Sequence, residues 1–417
     1  MKIKLSSKYN IGVIICFYII AALIFLLFFI AFSPDKYVFD ERDFIPNVAV
    51  LAKYGFSFDF LKNIKGQSPG PLYQFIYYPV SHVIPLTPHN IRFVNFFILL
   101  CDLYLLYSLI RTELKEHALL ITLLFISIPM TWNVTGMAIT ELPSIFFCLL
   151  SLLLLKKSFA AEYSTSVYLS FLGGLAAGIA TIGRTPFLMI LPASLVLYKF
   201  PKRNIQTTLF LIAGIIFPGF VYYAWQGLVP PDVQNIQSGY SIPCLLLCIT
   251  YFAITVLIIY PALFRINRKH YYFAVLLIIL AVIANVYIFK VKYLPMHSVV
   301  TSKFVPQFIS SLYPYFFEAL TVGCSYIFII AMYIHVKTNK PDIWALFLLS
   351  ITILIILTTV KSAAHFSSRY VMQAFPFFLL YIAGSIKINK YLLFRVIIGT
   401  LIGLASLHSY YVVQHPV

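Results

Sequence analysis

The chain has 417 residues, of which 61% are hydrophobic and only 10% are charged, and its mean hydropathy is +0.92. Because soluble domains contain roughly 45–50% apolar residues, this composition excludes a soluble globular protein and indicates an integral membrane protein. The formal net charge of +17 does not indicate a nucleic acid partner, since the basic residues lie between apolar runs, where membrane orientation explains them.

Apolar runs recur along the whole sequence, and many of them are about 20 residues long, enough to cross roughly 30 Å of hydrocarbon as a helix. They are apolar throughout instead of alternating with polar residues, which favours helices over barrel strands. The predicted fold is therefore an all-α, polytopic transmembrane bundle of about 11–14 helices, with residues 1–417 in a single domain. In chain order, the predicted helices cover residues 11–33, 71–86, 91–110, 118–134, 140–155, 167–182, 185–198, 206–226, 241–263, 271–289, 315–336, 343–360, 370–386 and 392–412.

The basic residues predict how the bundle is oriented in the membrane. If the N-terminus is cytoplasmic, 18 of the 30 lysine and arginine residues lie on the cytoplasmic side, in short loops where the positive-inside rule has most force. The C-terminus is then on the outer side. The same orientation places the loop after the first helix, and also Glu141, Arg184 and Arg369, on the outer side, where the chemistry is expected.

The first outward loop, residues 34–70, is unusually acidic. It contains five of the 13 acidic residues of the chain, namely Asp35, Asp40, Glu41, Asp43 and Asp59. These carboxylates are either solvated loop charges or catalytic groups. A carboxylate just beyond a membrane helix is partly desolvated, which raises its basicity, and a lipid-borne substrate can reach it from the side.

Two local structures are predicted in and after this loop. Apolar residues at helical intervals predict a short amphipathic helix on the membrane surface, with Asp40 near its N-cap. The apolar positions are Phe44, Val48, Leu51 and Phe56. The segment "GQSPGPLY", Gly66–Tyr73, contains two prolines and two glycines, which stop a helix and predict a tight turn.

Three charged residues later in the chain stand at the ends of predicted helices. Glu141 is either a helix N-terminal acid, worth roughly 0.3–1 kcal/mol, or a functional acid on the outer side. Arg184 stands between two apolar segments, where a guanidinium is costly unless it is paired or reaches a wet cavity, and its planar shape suits phosphate. The same reasoning applies to Arg369, and Lys361 and His365 stand nearby.

Several of these segments resemble the GT-C superfamily of membrane glycosyltransferases, which use polyprenyl-phosphate-linked sugars. The first match is a transmembrane helix followed by the outward pair Asp40-Glu41, an amphipathic segment and the turn "SPGPLY". Four further segments match in the expected order: "IRFVN" (Ile91–Asn95), "TELP" (Thr140–Pro143), "GLAAGIATIGRTPFLMILPA" (Gly174–Ala193) and "RYVMQAFPFFLL" (Arg369–Leu380). More narrowly, the size of the chain and its lack of appended domains resemble the bacterial, phage-encoded type-specific O-antigen glucosyltransferases.

The resemblance implies a function and a set of site residues. It implies inverting transfer of a single sugar, with glucose expected, from a polyprenyl-phosphate donor to a lipid-linked polysaccharide such as O-antigen. The site would face the periplasm from the bacterial inner membrane, with membrane lipids around it. The resemblance implies Asp40 as the base with Glu41 as second candidate, donor phosphate held by Arg184, Arg369 and Lys361, and acceptor or sugar contacts from Asp43, Tyr73, Glu141 and His365. No metal or cofactor is expected, because side-chain cations can hold the phosphate.

A membrane transporter or a flippase for polyprenyl-linked sugars is the alternative, because such proteins also have about a dozen helices. Transporters often carry coupling carboxylates near mid-membrane and broken helices in matching halves. Here only Asp102 is predicted at mid-depth, where a neutral packing role is at least as expected as a functional one. Most acids lie on one face, which favours an enzyme working from outside.

Overall fold

The chain is built from helices, and no strand occurs in the residues that the computed structural model describes, which are 7–200, 203–234, 239–289, 307–361 and 366–413. Short 3-10 or π-helical turns link or extend several of the α-helices. We number the α-helices in chain order as α1 (Ser7–Ala31), α2 (Glu41–Phe44), α3 (Pro46–Tyr54), α4 (Phe58–Asn63), α5 (Leu72–Ser81), α6 (Pro88–Arg111), α7 (Ala118–Leu123), α8 (Pro129–Gly136), α9 (Glu141–Ala160), α10 (Tyr163–Gly183), α11 (Ile190–Ser194), α12 (Asn204–Trp225), α13 (Ile242–Ile259), α14 (Arg268–Ala284), α15 (Gln307–Asn339), α16 (Ile343–Thr358), α17 (Arg369–Ile382) and α18 (Lys390–Val413).

Many of these helices can cross a membrane. Within the described part of the chain, ten are long and apolar enough to do so, and the count is eleven if α7 and α8 form one broken span. The prediction of a polytopic helical membrane protein is confirmed at this level. The number of spans lies at or just below the lower end of the predicted range.

Three predicted helices are shorter or broken in the structure. The predicted helix 71–86 is reduced to the ten residues of α5. The predicted helix 118–134 is bent by 74° between α7 and α8, and 185–198 is mostly 3-10 helix around the five-residue α11. Prolines stand in each of these segments, at Pro79, Pro129, Pro186 and Pro192. A proline lacks the backbone N–H of a continuous helix and clashes with the preceding turn, which explains the breaks at Pro129 and Pro186, whereas Pro79 lies inside α5 and does not end it.

Helices α1 and α18 run side by side in the same direction and define the two faces of the bundle. The Tyr18 hydroxyl lies 2.5 Å from Thr400 Oγ1, and the rings of Phe29 and Tyr411 stack 5.6 Å apart where both helices end. We call the face at which α1 and α18 end the site face. The opposite face, where both begin, is the basic face, because it carries Arg111, Lys156, Arg265, Lys387 and Lys390.

The first loop folds back onto the bundle. Its predicted amphipathic helix is divided, because α2 ends at Phe44 and Pro46 begins α3. Phe44, Val48 and Leu51 are buried, and Leu51 packs in an apolar cluster with Trp225 of α12. Phe56, the fourth apolar position, lies beyond the end of α3 and is 71% exposed. It follows Gly55, whose φ of +63° turns the chain out of the helix.

Three buried amide side chains fix the path of this loop. Asn47 Nδ2 donates to the Lys65 carbonyl at 2.8 Å and to Gln67 Oε1 at 3.0 Å. Gln74 Nε2 donates to the same Gln67 oxygen at 2.7 Å and to the Phe44 carbonyl at 3.1 Å. Buried amides that find partners hold a backbone in one arrangement. The network therefore joins α2, α3 and α5 into one unit on the site face.

The glycine-rich helix α10 packs closely against α12. A Cβ at Gly174 would lie 2.3 Å from the Phe210 carbonyl oxygen, and one at Gly178 would lie 2.9 Å from the Gly214 carbonyl oxygen. Small residues one turn apart allow helix backbones to approach in a membrane. This packing fixes the position of the C-terminal end of α10, which leads into Arg184.

We expect Gly174→Ala to destabilise the protein by about 1–3 kcal/mol, because the added methyl group must push two backbones apart. Gly219→Ala is the matched control on the exposed side of α12, where a Cβ would meet nothing closer than 4.0 Å. There we expect a neutral or slightly stabilising effect, since alanine favours a helix over glycine. Thermal unfolding of the purified proteins in one detergent measures both, and equal melting temperatures would contradict the packing argument.

Candidate charge cluster on the site face

Four charged residues from distant parts of the sequence meet on the site face. Arg369 Nη1 donates to Asp40 Oδ2 at 2.6 Å, and its Nε lies 3.5 Å from Glu141 Oε1. Arg184 Nη2 lies 2.5 Å from the same Glu141 oxygen. We call Asp40, Arg369, Glu141 and Arg184 the charge cluster. Its formal charges cancel, two against two.

Each member of the charge cluster stands at a helix end. Asp40 precedes α2, Glu141 and Arg369 are the first residues of α9 and α17, and Arg184 follows α10 in an extended conformation. The N-terminus of α9 favours the negative charge of Glu141, whereas that of α17 disfavours the positive charge of Arg369. Arg369 is therefore held by its two carboxylate neighbours.

The cluster has unused hydrogen-bonding capacity. Arg184 Nε and Nη2, Arg369 Nε and both Glu141 carboxylate oxygens are buried and have no partner with hydrogen-bond geometry among the described residues, although three of these atoms lie within ion-pair distance. Gln373 Nε2, one turn further along α17, and Thr140 Oγ1 are buried without partners too. A buried polar group left unsatisfied costs about 1–3 kcal/mol, so these atoms indicate a place where a polar ligand can bind.

Asp40 is the more exposed of the two carboxylates in the charge cluster. Its side chain is 22% exposed, whereas that of Glu141 is fully buried. Asp40 occupies the N-cap position of α2 as predicted, but its side chain makes no capping hydrogen bond, because it binds Arg369 instead. A group from solvent can therefore reach Asp40 and not Glu141.

Phe39 forms one wall of this site. The Arg369 guanidinium lies 4.7 Å from the centre of the Phe39 ring, and the same ring packs edge-on against Tyr410 of α18 at 5.6 Å. Phe39 has a φ of +51°, a left-handed conformation that costs a residue with a side chain roughly 1–2 kcal/mol. That conformation orients the ring against Arg369, and no sequence pattern had singled out Phe39.

Glu41 lies behind the charge cluster in a saturated, fully buried ion pair. Its carboxylate accepts hydrogen bonds from Arg92 at 2.8 and 3.0 Å and from the backbone N–H groups of Val38 and Ala138. The Arg92 guanidinium also donates to Ser33 Oγ and to two carbonyl groups of the loop. This pair attaches residues 33–41 to α6, and Glu41 offers no free face to a substrate.

Sequence reasoning had not assigned a role to Arg92. It stands in the first turns of the long apolar helix α6, where a charged side chain needs a partner. This position in an apolar helix, within the segment "IRFVN", was the feature of the sequence that could have identified Arg92. The neighbouring Asn95 uses its side-chain N–H groups to bind the carbonyls of Val134 and Thr135 near the end of α8.

We expect Glu41→Gln and Arg92→Met each to destabilise the protein by about 3–5 kcal/mol, because each leaves the opposite charge buried and uncompensated. Asp35→Asn is the control in the same loop, since Asp35 pairs with His89 at 3.5 Å but is 79% exposed. Its effect should stay below about 1 kcal/mol. Thermal unfolding distinguishes the two, and a stable, correctly folded Glu41→Gln protein would refute the anchoring role.

The SPGPLY turn lies directly against the end of α10. A Cβ at Gly70 would lie 2.0 Å from the Ile182 carbonyl oxygen. One at Gly183 would lie 2.2 Å from Ser144 Oγ and 2.6 Å from a Leu72 methyl group. The predicted turn exists, and the glycines on both sides of the contact allow it to support the backbone immediately before Arg184.

The remaining predicted site residues, where the structure describes them, take no part in the ion pairs of the charge cluster. Tyr73 is fully buried, and its ring stacks on that of Tyr77 at 4.2 Å. Its hydroxyl has no hydrogen-bond partner among the described residues. Burial raises the pKa of its phenol, and the charges of Tyr77 and Glu41 add to this shift. Asp43 is on the exposed side of α2, where partial desolvation and then the charge of Asp40 raise its pKa. Lys361 is exposed beyond α16, and His365 lies outside the described residues.

Asp102 is fully buried in α6, and neither of its carboxylate oxygens has a hydrogen-bond partner. It stands ten residues after Arg92, which is about 15 Å along the helix. The structure therefore places it inside the bundle and away from the charge cluster, as the sequence predicted.

Comparison with protein-family models, with curated proteins and with solved structures gives no match to this chain. The family resemblance therefore rests on the sequence segments given above.

Proposed function

We propose that the chain is an inverting membrane glycosyltransferase of the GT-C type, which transfers one sugar from a polyprenyl-phosphate donor to a lipid-linked polysaccharide such as O-antigen. Glucose is the expected sugar, and the outer face of the bacterial inner membrane is the expected place. One observation carries the proposal. Two buried guanidinium groups with unused donors stand beside a partly exposed carboxylate.

The proposed reaction assigns a task to each charge. The acceptor hydroxyl oxygen attacks the sugar C1 and forms the new glycosidic bond, and Asp40 accepts the hydroxyl proton. The bond between C1 and the phosphate oxygen breaks, and the polyprenyl phosphate leaves with the electron pair. Arg184 and Arg369 bind that phosphate and stabilise the charge that develops on it. Glu141 holds both guanidinium groups in position.

The pairing of Asp40 with Arg369 suggests an order of events. While Arg369 binds Asp40, the Oδ2 atom of the carboxylate is occupied by the hydrogen bond from the guanidinium and is not free to meet an acceptor hydroxyl. A donor phosphate competes for Arg369 through its own negative oxygens, and this competition releases Asp40. The donor would then bind before the acceptor is activated, which limits unproductive proton transfer.

The test uses the purified protein in proteoliposomes with radiolabelled polyprenyl-phosphate glucose and a lipid-linked O-antigen acceptor. We expect label to move to the acceptor, with inversion at C1 established by linkage NMR of the product. Translocation of the labelled donor across the bilayer without transfer would replace this proposal with the flippase alternative. Other labelled donors carrying galactose, mannose or 4-amino-arabinose determine which sugar is used.

A further inference from the structure

A small cavity on the basic face collects positive charge that no carboxylate neutralises. Its volume is about 180 Å³, and Arg265, Lys387 and Arg395 line it, with no acidic residue among its lining residues. Within the described ranges, neither Arg265 nor Lys387 forms an ion pair. Three uncompensated cations around so small a space produce a strongly positive potential inside it.

The cavity lies where a membrane lipid presents its headgroup. It is formed between the end of α13 and the start of α18. From Tyr391 at this end to Tyr410 beside the charge cluster, α18 extends by about 28 Å, close to the thickness of the hydrocarbon core. Tyr260 and the exposed Tyr391 contribute aromatic rings to the cavity wall, and tyrosine is enriched at the membrane boundary.

One of the three cations is held in place by the fold. Arg395 Nε donates to the Ile258 carbonyl at 2.7 Å, near the end of α13. This hydrogen bond orients the other N–H groups of the guanidinium before any ligand binds. Arg265 and Lys387 are exposed and stand on the surrounding loops. A fixed guanidinium with two further cations at the same cavity suits a phosphate group whose oxygens point into the cavity.

We propose that this cavity binds the phosphodiester headgroup of an anionic membrane lipid. The volume of about 180 Å³ is large enough for a phosphate group. Basic pockets between transmembrane helices bind such headgroups. The site is separate from the charge cluster and does not depend on the reaction proposed above.

The test measures binding of phosphatidylglycerol to the purified full-length protein by native mass spectrometry over a lipid titration. We expect phosphatidylglycerol to occupy the first lipid site more tightly than phosphatidylcholine. Arg265→Gln combined with Lys387→Gln should lower that affinity about 30-fold, since each cation near a membrane surface contributes about fivefold. Arg395 is left intact, because its substitution would also leave the Ile258 carbonyl without its donor.

The control removes the same number of charges from the same face without touching the cavity. Arg268→Gln combined with Lys269→Gln neutralises two exposed cations at the start of α14, and we expect affinity within about threefold of the unaltered protein. An equal loss in both double variants would overturn the proposal in favour of general attraction between charged surfaces. Displacement of the lipid by an equal concentration of inorganic phosphate would overturn it too, because the site would then select a soluble anion.

Discussion

Asp40→Asn should reduce sugar transfer by about 10²–10⁴-fold while the protein remains folded and inserted, because a carboxamide cannot accept the acceptor proton. The asparagine oxygen can still accept a hydrogen bond from Arg369, but Glu141 must then neutralise two guanidinium groups alone, so we expect a lower melting temperature in a protein that still folds. Initial rates of transfer at saturating donor, together with thermal unfolding of the same preparation, measure both effects.

Asp59→Asn is the matched control for this substitution. Asp59 belongs to the same loop and is exposed in the first turn of α4, outside the charge cluster. We expect unchanged transfer in this variant. Turnover of the Asp40→Asn protein within a few-fold of the original rate would remove Asp40 from the proposed mechanism.

The second large effect is expected at the two arginines. The combined change Arg184→Gln and Arg369→Gln should lower kcat/KM for the donor by about 10²–10³-fold or more, since both groups that hold the leaving phosphate are lost. KM for the acceptor should stay nearly constant. A titration of each substrate at a fixed level of the other separates the two parameters, and equal losses for both substrates would contradict the assignment.

Two further variants separate loss of phosphate binding from loss of structure. Arg184→Gln alone leaves Glu141 fully buried with only one guanidinium beside it, which costs stability. Arg184→Gln with Glu141→Gln removes both charges of that pair and should recover the melting temperature but not the transfer rate. Arg111→Gln, an exposed arginine at the basic face, controls for loss of positive charge and should transfer normally.

The sequence predicted the long helices well and their three-dimensional arrangement only in part. Long apolar runs identify α1, α6 and α18, because a helix that crosses the hydrocarbon core needs apolar residues along its whole length. The break between α7 and α8 was missed, although Pro129 stands there, because the apolar run continues through the bend. Hydropathy measures how apolar a segment is, and it does not show where a helix changes direction.

The candidate site shows the same limit. Asp40, Glu141, Arg184 and Arg369 were all selected from sequence. The two arginines were selected because a guanidinium in an apolar chain is costly without a partner, and the two acids because they stand in the acidic first loop and at an outward helix start. Which carboxylate would face the open side was beyond the sequence. Asp40 and Glu41 are adjacent and chemically alike, and only the position of Arg92 assigns Glu41 to the buried pair. That information lies 51 residues away in the chain.

The contact between Asp40 and Arg369 joins residues 329 positions apart, which has a consequence for how the protein is made. A ribosome completes the first acidic loop long before it reaches α17. During that interval the nascent chain carries Asp40 and Glu141 without Arg369, and water at the translocon exit must solvate them. The charge cluster can close only after α17 has been made, so a partly synthesised chain lacks the ion pairs of Arg369 with Asp40 and Glu141.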